Sequence, residues 1–237
     1  LTALIPLVDK NSHESWHNEF KEKYKIELDA VINEELAPTN GKGISMGETI
    51  EMINKHSNND AIIVTDVGQH QMFACRYAKF NSTKSNITSG GLGTMGFCLP
   101  AAIGAKMGRP DREVVAVIGD GGFQMTIQEL GTIYQSKVPV KIVVLNNEFL
   151  GMVRQWQELF FDNRLASTEM VNPNFCAIAE GYYIKAKKVT KREELDAAVA
   201  EMMASKDSYF LEVMVEKENN VFPMSPTGAS VSDIRLS

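Results

Sequence analysis

From Ile44 onward, short apolar runs alternate with segments whose apolar residues return at helical spacing. The runs at 61–65, 113–118 and 140–145 show no in-out alternation, which predicts strands buried on both faces. Shorter strands are predicted at 86–88, 183–186 and 209–215. Ser45 with Glu48 forms a capping box that opens a helix through about His56. Further helices are predicted at 100–107, 124–136 and 150–160, and another opened by the capping pair Thr190 and Glu193. Val/Ile runs separated by helices predict an α/β fold: a doubly wound, mostly parallel sheet of about six strands with helices on both faces. In such sheets the ligand sits outside the carboxyl ends of the strands, so chemistry is expected there.

Residues 1–37 read differently. Trp16, Phe20 and Tyr24 recur at spacing four among Lys and Glu, which predicts an amphipathic helix lying on a neighbour. Residues 37–43, Ala-Pro-Thr-Asn-Gly-Lys-Gly, read as a linker. The expected organisation is therefore residues 1–43 as the tail of a preceding domain plus linker, and 44–237 as the ligand-binding domain. The stretch from about residue 219, with Pro223, Pro226 and Gly228, reads as a C-terminal lid. The chain opens on Leu1 with no signal or transit peptide, and reads as a fragment or processed product.

Composition narrows the function classes. Of the 237 residues, 44% are apolar and 23% charged, which excludes disordered and fibrous classes. Lys+Arg 24 against Asp+Glu 30 gives a net charge of −6 and argues against a nucleic-acid partner. The longest uncharged stretch, 85–105, holds five glycines and a proline, so it is no membrane span. Cys75, Cys98 and Cys176 are odd in number and widely spaced, which excludes a disulfide framework and fits a reduced, cytoplasmic setting.

Three predicted strand ends carry small or polar residues: Asp66-Val67-Gly68-Gln69-His70, Gly119-Asp120-Gly121-Gly122 and Asn146-Asn147. The middle one predicts Asp120 at a buried strand tip, with glycines turning tightly into a helix that begins near Gln124. Free N–H groups and the dipole of a helix start favour phosphate. Asp120 would repel that phosphate unless a divalent cation sits between them. Mg²⁺ takes about six oxygens, commonly one or two from side chains and others from phosphate. Asp120 can supply a carboxylate oxygen, Asn147 an amide oxygen and Phe149 a backbone carbonyl. These are hard donors, which favours Mg²⁺ or Ca²⁺ over zinc.

Gly119-Asp120-Gly121, with Asn146-Asn147 beyond a helix and a buried strand, resembles the thiamine-diphosphate-binding motif. Further segments resemble the catalytic subunit of the acetolactate (acetohydroxyacid) synthase family, from about residue 44 to the C-terminus. They are Val67-Gly68-Gln69-His70-Gln71-Met72, the glycine-rich run 89–96, Leu99-Pro100-Ala101-Ala102-Ile103-Gly104-Ala105, Phe123-Gln124-Met125 and Gly151-Met152-Val153-Arg154-Gln155-Trp156.

The resemblance implies the thiamine-diphosphate-binding fold, with Asp120, Asn147 and the Phe149 carbonyl as metal ligands. It implies Gly68, Gln69, His70, Gly121, Gly122, Gly151 and Met152 around the diphosphate. Gly93 and Met95 would meet the aminopyrimidine and thiazolium, with Met95 as the wedge that bends the cofactor, and Trp156 would line the substrate channel. A bent cofactor brings its own amino group to the proton it removes, a proximity effect. The implied cofactors are thiamine diphosphate and Mg²⁺, with FAD on a central domain, so that its site lies mostly outside this chain. The implied substrates are pyruvate and a second 2-keto acid, condensed to 2-acetolactate or 2-aceto-2-hydroxybutyrate in branched-chain amino acid synthesis. The implied partners are a second copy, as homodimer or tetramer through the cofactor-binding domains, and a small regulatory subunit. In the family a glutamate that activates the pyrimidine belongs to an N-terminal domain, usually of the partner subunit. No segment here resembles that domain, so the fragment alone is expected to be inactive. The chain departs from the common pattern at Phe73, where Trp is frequent, and at Cys98, where Gly is frequent. Both bear on substrate preference.

Other readings stand beside this one. The same superfamily holds other decarboxylases and carboligases, and a non-catalytic cofactor-binding module is a third class. His13-Glu14-Ser15-Trp16-His17 matches the H-E-x-x-H pattern of zinc hydrolases, with Glu34 or Glu35 as third ligand, although its strongly charged helix argues against a catalytic zinc. Residue by residue, Asp120 can serve as a plain helix cap. Met95, Met125 and Met152 can fill core gaps, His70 can be a loop histidine, and Trp156 can be core. The basic run 185–192 reads as a solvated face.

Overall fold

In the computed structural model, which describes residues 1–39, 41–226 and 228–237, the predicted apolar runs become strands of one sheet. These are β1 (Ile62–Thr65), β2 (Asn86–Thr88), β3 (Val114–Gly119), β4 (Lys141–Asn146), β5 (Lys185–Val189) and β6 (Tyr209–Met214). Every pairing is parallel, in the order β2-β1-β3-β4-β6-β5, with Ile62 beside Val114 and Val115 beside Lys141. The helices are α1 (Glu14–Glu27), α2 (Asn33–Leu36), α3 (Met46–Ser57), α4 (Gln69–Tyr77), α5 (Cys98–Gly108), α6 (Asp120–Met125), α7 (Glu129–Ser136), α8 (Gly151–Phe160), α9 (Phe175–Gly181) and α10 (Arg192–Ala204). Among the described residues no helix is long and apolar enough to cross a membrane.

Parallel strands need crossovers, and crossovers cover both faces. Ile62, Val64, Val114, Ala116, Ile118, Ile142 and Val144 form one core with Leu99 and Ile103 of α5, Leu130 and Ile133 of α7, and Phe175 of α9. The intervening Ile63, Val115, Val117, Val143 and Leu211 are equally buried and, by strand alternation, face the other way. There α3, α4 and α10 pack, burying Ile50, Ile53, Phe73, Leu195 and Val199. Each such side chain contributes roughly 1.5–3 kcal/mol by leaving water, enough for two such layers to carry buried polar groups at the strand tips.

Two compact units divide the chain: residues 35–221, which hold the whole sheet, and residues 1–34 with 222–237. In the smaller unit α1 forms as its spacing predicts, with the Trp16 and Phe20 rings edge to face at 4.8 Å. Trp16, Phe20 and Tyr24 are each more than half exposed.

Four local readings are corrected. The helix expected over 124–136 is two, α6 and α7, because Thr126 leaves helical geometry (φ −134°) and donates from Oγ1 to Gly96 O at 3.1 Å. Ser45 caps α3 by accepting from Glu48 N at 2.9 Å, but the Glu48 carboxylate pairs with Arg192 at 3.0 Å, so only half of the capping box forms. The pair Thr190 and Glu193 makes no cap, since α10 starts after Lys191 without a side-chain bond. Helices α4 and α9 were not predicted at all.

Candidate functional site

From β1 the sheet grows to β2 on one side and to β3 on the other, so a switch of winding direction lies between β1 and β3. At such a switch the loops leave in opposite directions and open a crevice at the carboxyl ends. The loops after β1, β3 and β4 line one cleft here. Gly68, Gln69, His70, Met95, Asp120, Gly121, Gly122, Asn147, Phe149, Gly151 and Met152 all line it, joined by Met46 and Leu150. Gly93 and Trp156 do not. Gly93 is exposed in the preceding loop, and Trp156 lies outward on α8 with its ring 4.8 Å from Phe160.

Asp120 is 1% exposed and is the first residue of α6, not the last of a turn. Gly119 stays extended up to it (φ −80°, ψ 157°) and takes the cap position, so the helix starts four residues before the expected Gln124 and Asp120 is not the cap. Burial pushes the Asp120 carboxyl up to about 6, against the pull of a 2.7 Å bond from Asn172. The same Asn172 nitrogen donates to Asn146 Oδ1 at 3.1 Å, and Asn146 donates to the buried Glu212 at 2.8 Å. Lys188 balances Glu212 at 3.0 Å.

Asn147 is buried, donates to Gln69 Oε1 at 3.4 Å and accepts from Phe149 N at 3.3 Å. Phe149 bridges to Glu169, and its ring lies 5.0 Å from Lys217 Nζ. Two glycines are required by close approach. A Cβ at Gly122 would overlap the Asp66 carboxylate, and one at Gly151 would overlap Gln69 Oε1 and come within 2.7 Å of Asn147 Nδ2.

His70 is buried, and burial alone pulls its pKa down to about 3, so it is neutral. Among the described residues its Nε2 has no hydrogen-bond partner, although the side chain lines the cleft. An orphaned ring nitrogen in a cleft also lined by Asp120, Asn147 and Phe149 suits a ligand with polar atoms and a hard cation. The donor set therefore fits a diphosphate held through Mg²⁺.

Sequence reasoning missed the roles of several residues, Asp66 among them although it was read at a strand end. Asp66 is fully buried, its carboxyl raised by that burial, and it accepts from Gly96 N at 3.0 Å and Cys98 N at 3.3 Å. It thereby holds the loop that carries Met95. Asn172 was available only as a residue before Pro173, a position biased to extended backbone. Gln155 and Arg154 sit in a quoted motif but showed no partner in the sequence. Phe73 and Cys98, the two departures, are core residues away from the cleft lining: Phe73 stacks on Tyr77 at 6.1 Å, and Cys98 Sγ donates to Val64 O at 3.0 Å.

The zinc reading fails. His13 lies outside α1 in left-handed backbone (φ 49°), and Glu35 is engaged by Gly47 N and Asn219 Nδ2, each at 2.7 Å. Among the described residues no three His, Cys, Asp or Glu side chains gather to hold a metal.

Comparison with known proteins adds an independent line. The family described as thiamine pyrophosphate enzyme, C-terminal TPP binding domain, matches residues 66–213. The acetolactate synthase isozyme 2 large subunit of Escherichia coli (strain K12) is 43% identical over 186 residues, covering 78% of this chain and 34% of that protein. The mitochondrial acetolactate synthase catalytic subunit of Saccharomyces cerevisiae is 38% identical over 236 residues, covering 98% of this chain and 33% of that protein. Among solved structures, the thiamine diphosphate-dependent 4-hydroxybenzoylformate decarboxylase of Rhodococcus jostii RHA1 superposes with a TM-score of 0.70 at 26% identity, over 76% of this chain and 34% of that one. The chain spans about a third of the length of the curated relatives it matches.

Proposed function

Because the chain belongs to the thiamine pyrophosphate enzymes, whose C-terminal TPP binding domain it carries, we propose that it forms the diphosphate-and-cation half of an acetolactate synthase active site. The reaction in this reading joins pyruvate to a second 2-keto acid for branched-chain amino acid synthesis. The observation that carries it is the meeting of Asp120, Asn147 and Phe149 on one cleft between neighbouring strand tips.

Thiamine diphosphate, when bound, supplies the electron sink for breaking and forming bonds at a carbonyl carbon. The chain's own residues bind and orient it. Asp120, Asn147 and the Phe149 carbonyl would hold Mg²⁺, whose charge would offset that of a diphosphate otherwise repelled by Asp120. Gly68, Gln69, His70, Gly121, Gly122, Gly151 and Met152 surround that diphosphate, with neutral His70 able to donate from one ring nitrogen without adding charge. Met95, held in place by the Asp66-anchored loop, is the apolar wedge against the rings, while Gly93 stays exposed outside the cleft. Trp156, which faces outward from α8 and does not line the cleft, would border a substrate channel only where another part of the enzyme covers α8. The activating glutamate comes from an N-terminal domain of a partner copy in a dimer or tetramer, so these residues alone turn over no substrate. A small regulatory subunit is a further partner, and FAD is assigned no residue of this chain. The three free cysteines, Cys75, Cys98 and Cys176, suit a reducing cytoplasmic setting.

Calorimetric titration with thiamine diphosphate, with and without Mg²⁺, tests the site on wild type and Asp120→Asn. Binding is expected only with the cation and only in wild type. Metal-independent binding, or an unaffected variant, sinks the assignment. A second reading, a 2-keto acid decarboxylase, draws on the likeness to the Rhodococcus enzyme. Release of an aldehyde in place of a carboligation product, from an assembly that supplies the activating glutamate, would favour it.

A further inference from the structure

Three buried side-chain amides connect the cleft to the segment that closes the larger unit. Gln155 on α8 is 2% exposed; its Oε1 accepts from Val221 N at 3.0 Å and its Nε2 donates to Val221 O at 3.1 Å. A backbone N–H only donates and a carbonyl only accepts, so Val221 dictates which end of the Gln155 amide is which. Gln155 Oε1 also accepts from Gln69 Nε2 at 3.0 Å, and that nitrogen donates again to Asn219 O at 2.9 Å. Two acceptors thus claim the nitrogen of Gln69, and its oxygen must turn the opposite way. There it meets Asn147 Nδ2 at 3.4 Å, over the space that Gly151 leaves open. With its nitrogen facing Gln69, Asn147 keeps Oδ1 at the other end of the amide, where Phe149 N donates to it at 3.3 Å.

We propose that Gln155 is a positioning residue for the cation: through Gln69 it holds the nitrogen end of the Asn147 amide, as the Phe149 N–H holds the oxygen end, so that oxygen, not nitrogen, is presented to Mg²⁺. The proposal rests on Asn147 being a cation ligand. A reversed amide would offer an NH₂ group, which has no lone pair to give. Residues one step behind metal ligands, the place of Gln69, typically shift metal affinity about 10–100-fold when changed, and Gln155 acts one bond further back. The backbone of residues 219–221 sets the whole sequence of orientations, so the metal site is wired to the chain where the larger unit ends.

The test measures the Mg²⁺ dissociation constant by calorimetry at saturating thiamine diphosphate, alongside the melting temperature of cofactor-free protein. Gln155→Met removes one of the two acceptors that claim the Gln69 nitrogen, leaving Asn219 O, and is expected to weaken Mg²⁺ severalfold, up to about tenfold. Gln155→Glu keeps both accepted bonds and is expected to hold Mg²⁺ much as wild type does, although it loses the bond to Val221 O. Gln155→Asn, one carbon too short to span Val221 and Gln69 together, gives the same readout as Met if the Met protein does not fold. A lowered melting temperature with an unchanged Mg²⁺ constant in Gln155→Met overturns the proposal. So does a Glu variant as damaged as the Met variant. Asn147→Ala separates the two levels: if it leaves Mg²⁺ binding intact, the site reading itself fails, whereas if it abolishes binding and Gln155→Met does not weaken it, only the relay fails.

Discussion

Asn172 donates from one amide nitrogen to Asp120 Oδ2 at 2.7 Å and to Asn146 Oδ1 at 3.1 Å, tying the tip of β3 to the tip of β4. Its removal leaves the Asp120 carboxylate with less to offset its burial, so its pKa rises further above the value of about 6. Asn172→Leu is therefore expected to weaken Mg²⁺ by about tenfold, the usual scale for a lost outer partner. Titration of Mg²⁺ at fixed thiamine diphosphate checks this, and an unchanged constant would detach Asn172 from the site.

Gly151→Ala should damage binding more than folding. The added methyl would collide with Gln69 Oε1 and Asn147 Nδ2, pushing apart the pair that orients the amide oxygen. Overpacking of this kind costs about 1–3 kcal/mol. Urea unfolding of the cofactor-free protein should show a loss in that range, while the cofactor-induced rise in melting temperature should disappear.

Asp66→Ala leaves the N–H groups of Gly96 and Cys98 without their acceptor in a buried place. Each orphaned donor costs about 1–3 kcal/mol, less whatever water recovers. Equilibrium unfolding gives the sum, and limited proteolysis should find new cleavage in residues 89–96. Full stability with an unaltered cleavage pattern would refute the anchoring role.

The buried His70 predicts an acid-side loss of stability. Its folded pKa of about 3 lies below its ordinary 6.5, so the unfolded chain takes up a proton that the fold refuses. The contribution is fully present above about pH 6.5 and is lost as pH falls toward 3, at about 1.4 kcal/mol per pH unit for one proton. His70→Asn should flatten that slope between about pH 6.5 and 4.5 in urea titrations of cofactor-free protein. A variant with the wild-type slope would show that the proton goes elsewhere.

The strands were legible because a parallel sheet writes itself as unbroken Val/Ile runs, and β3 and β4 fell within a residue of their predicted bounds. The cleft followed, since strand ends are where such folds keep polar residues. Helix α4 was not legible: its first turn, Gln69-His70-Gln71, has the composition of a loop, and only the unusual backbone at Gly68 (φ 148°) starts it. The break at Thr126 depends on a bond to Gly96, thirty positions away in the chain, which no local spacing reports. Asn172 and Gln155 were invisible for the same reason. Their partners lie 52 and 86 residues off, and hydrogen-bond polarity over such separations leaves no periodic trace.

All six strands run the same way, so every crossover carries the chain back to the opposite rim before the next strand begins. At that rim Lys141 clasps Ser205 O and Asp207 O, each at 2.6 Å, and Ser208 bonds Val138 O at 2.8 Å. One rim of the sheet is thus fastening and the other carries the proposed site. Sequence drift at the fastening rim would be felt as altered melting behaviour with ligand binding untouched, while drift at the other rim would alter what the proposed site holds without loosening the scaffold beneath it.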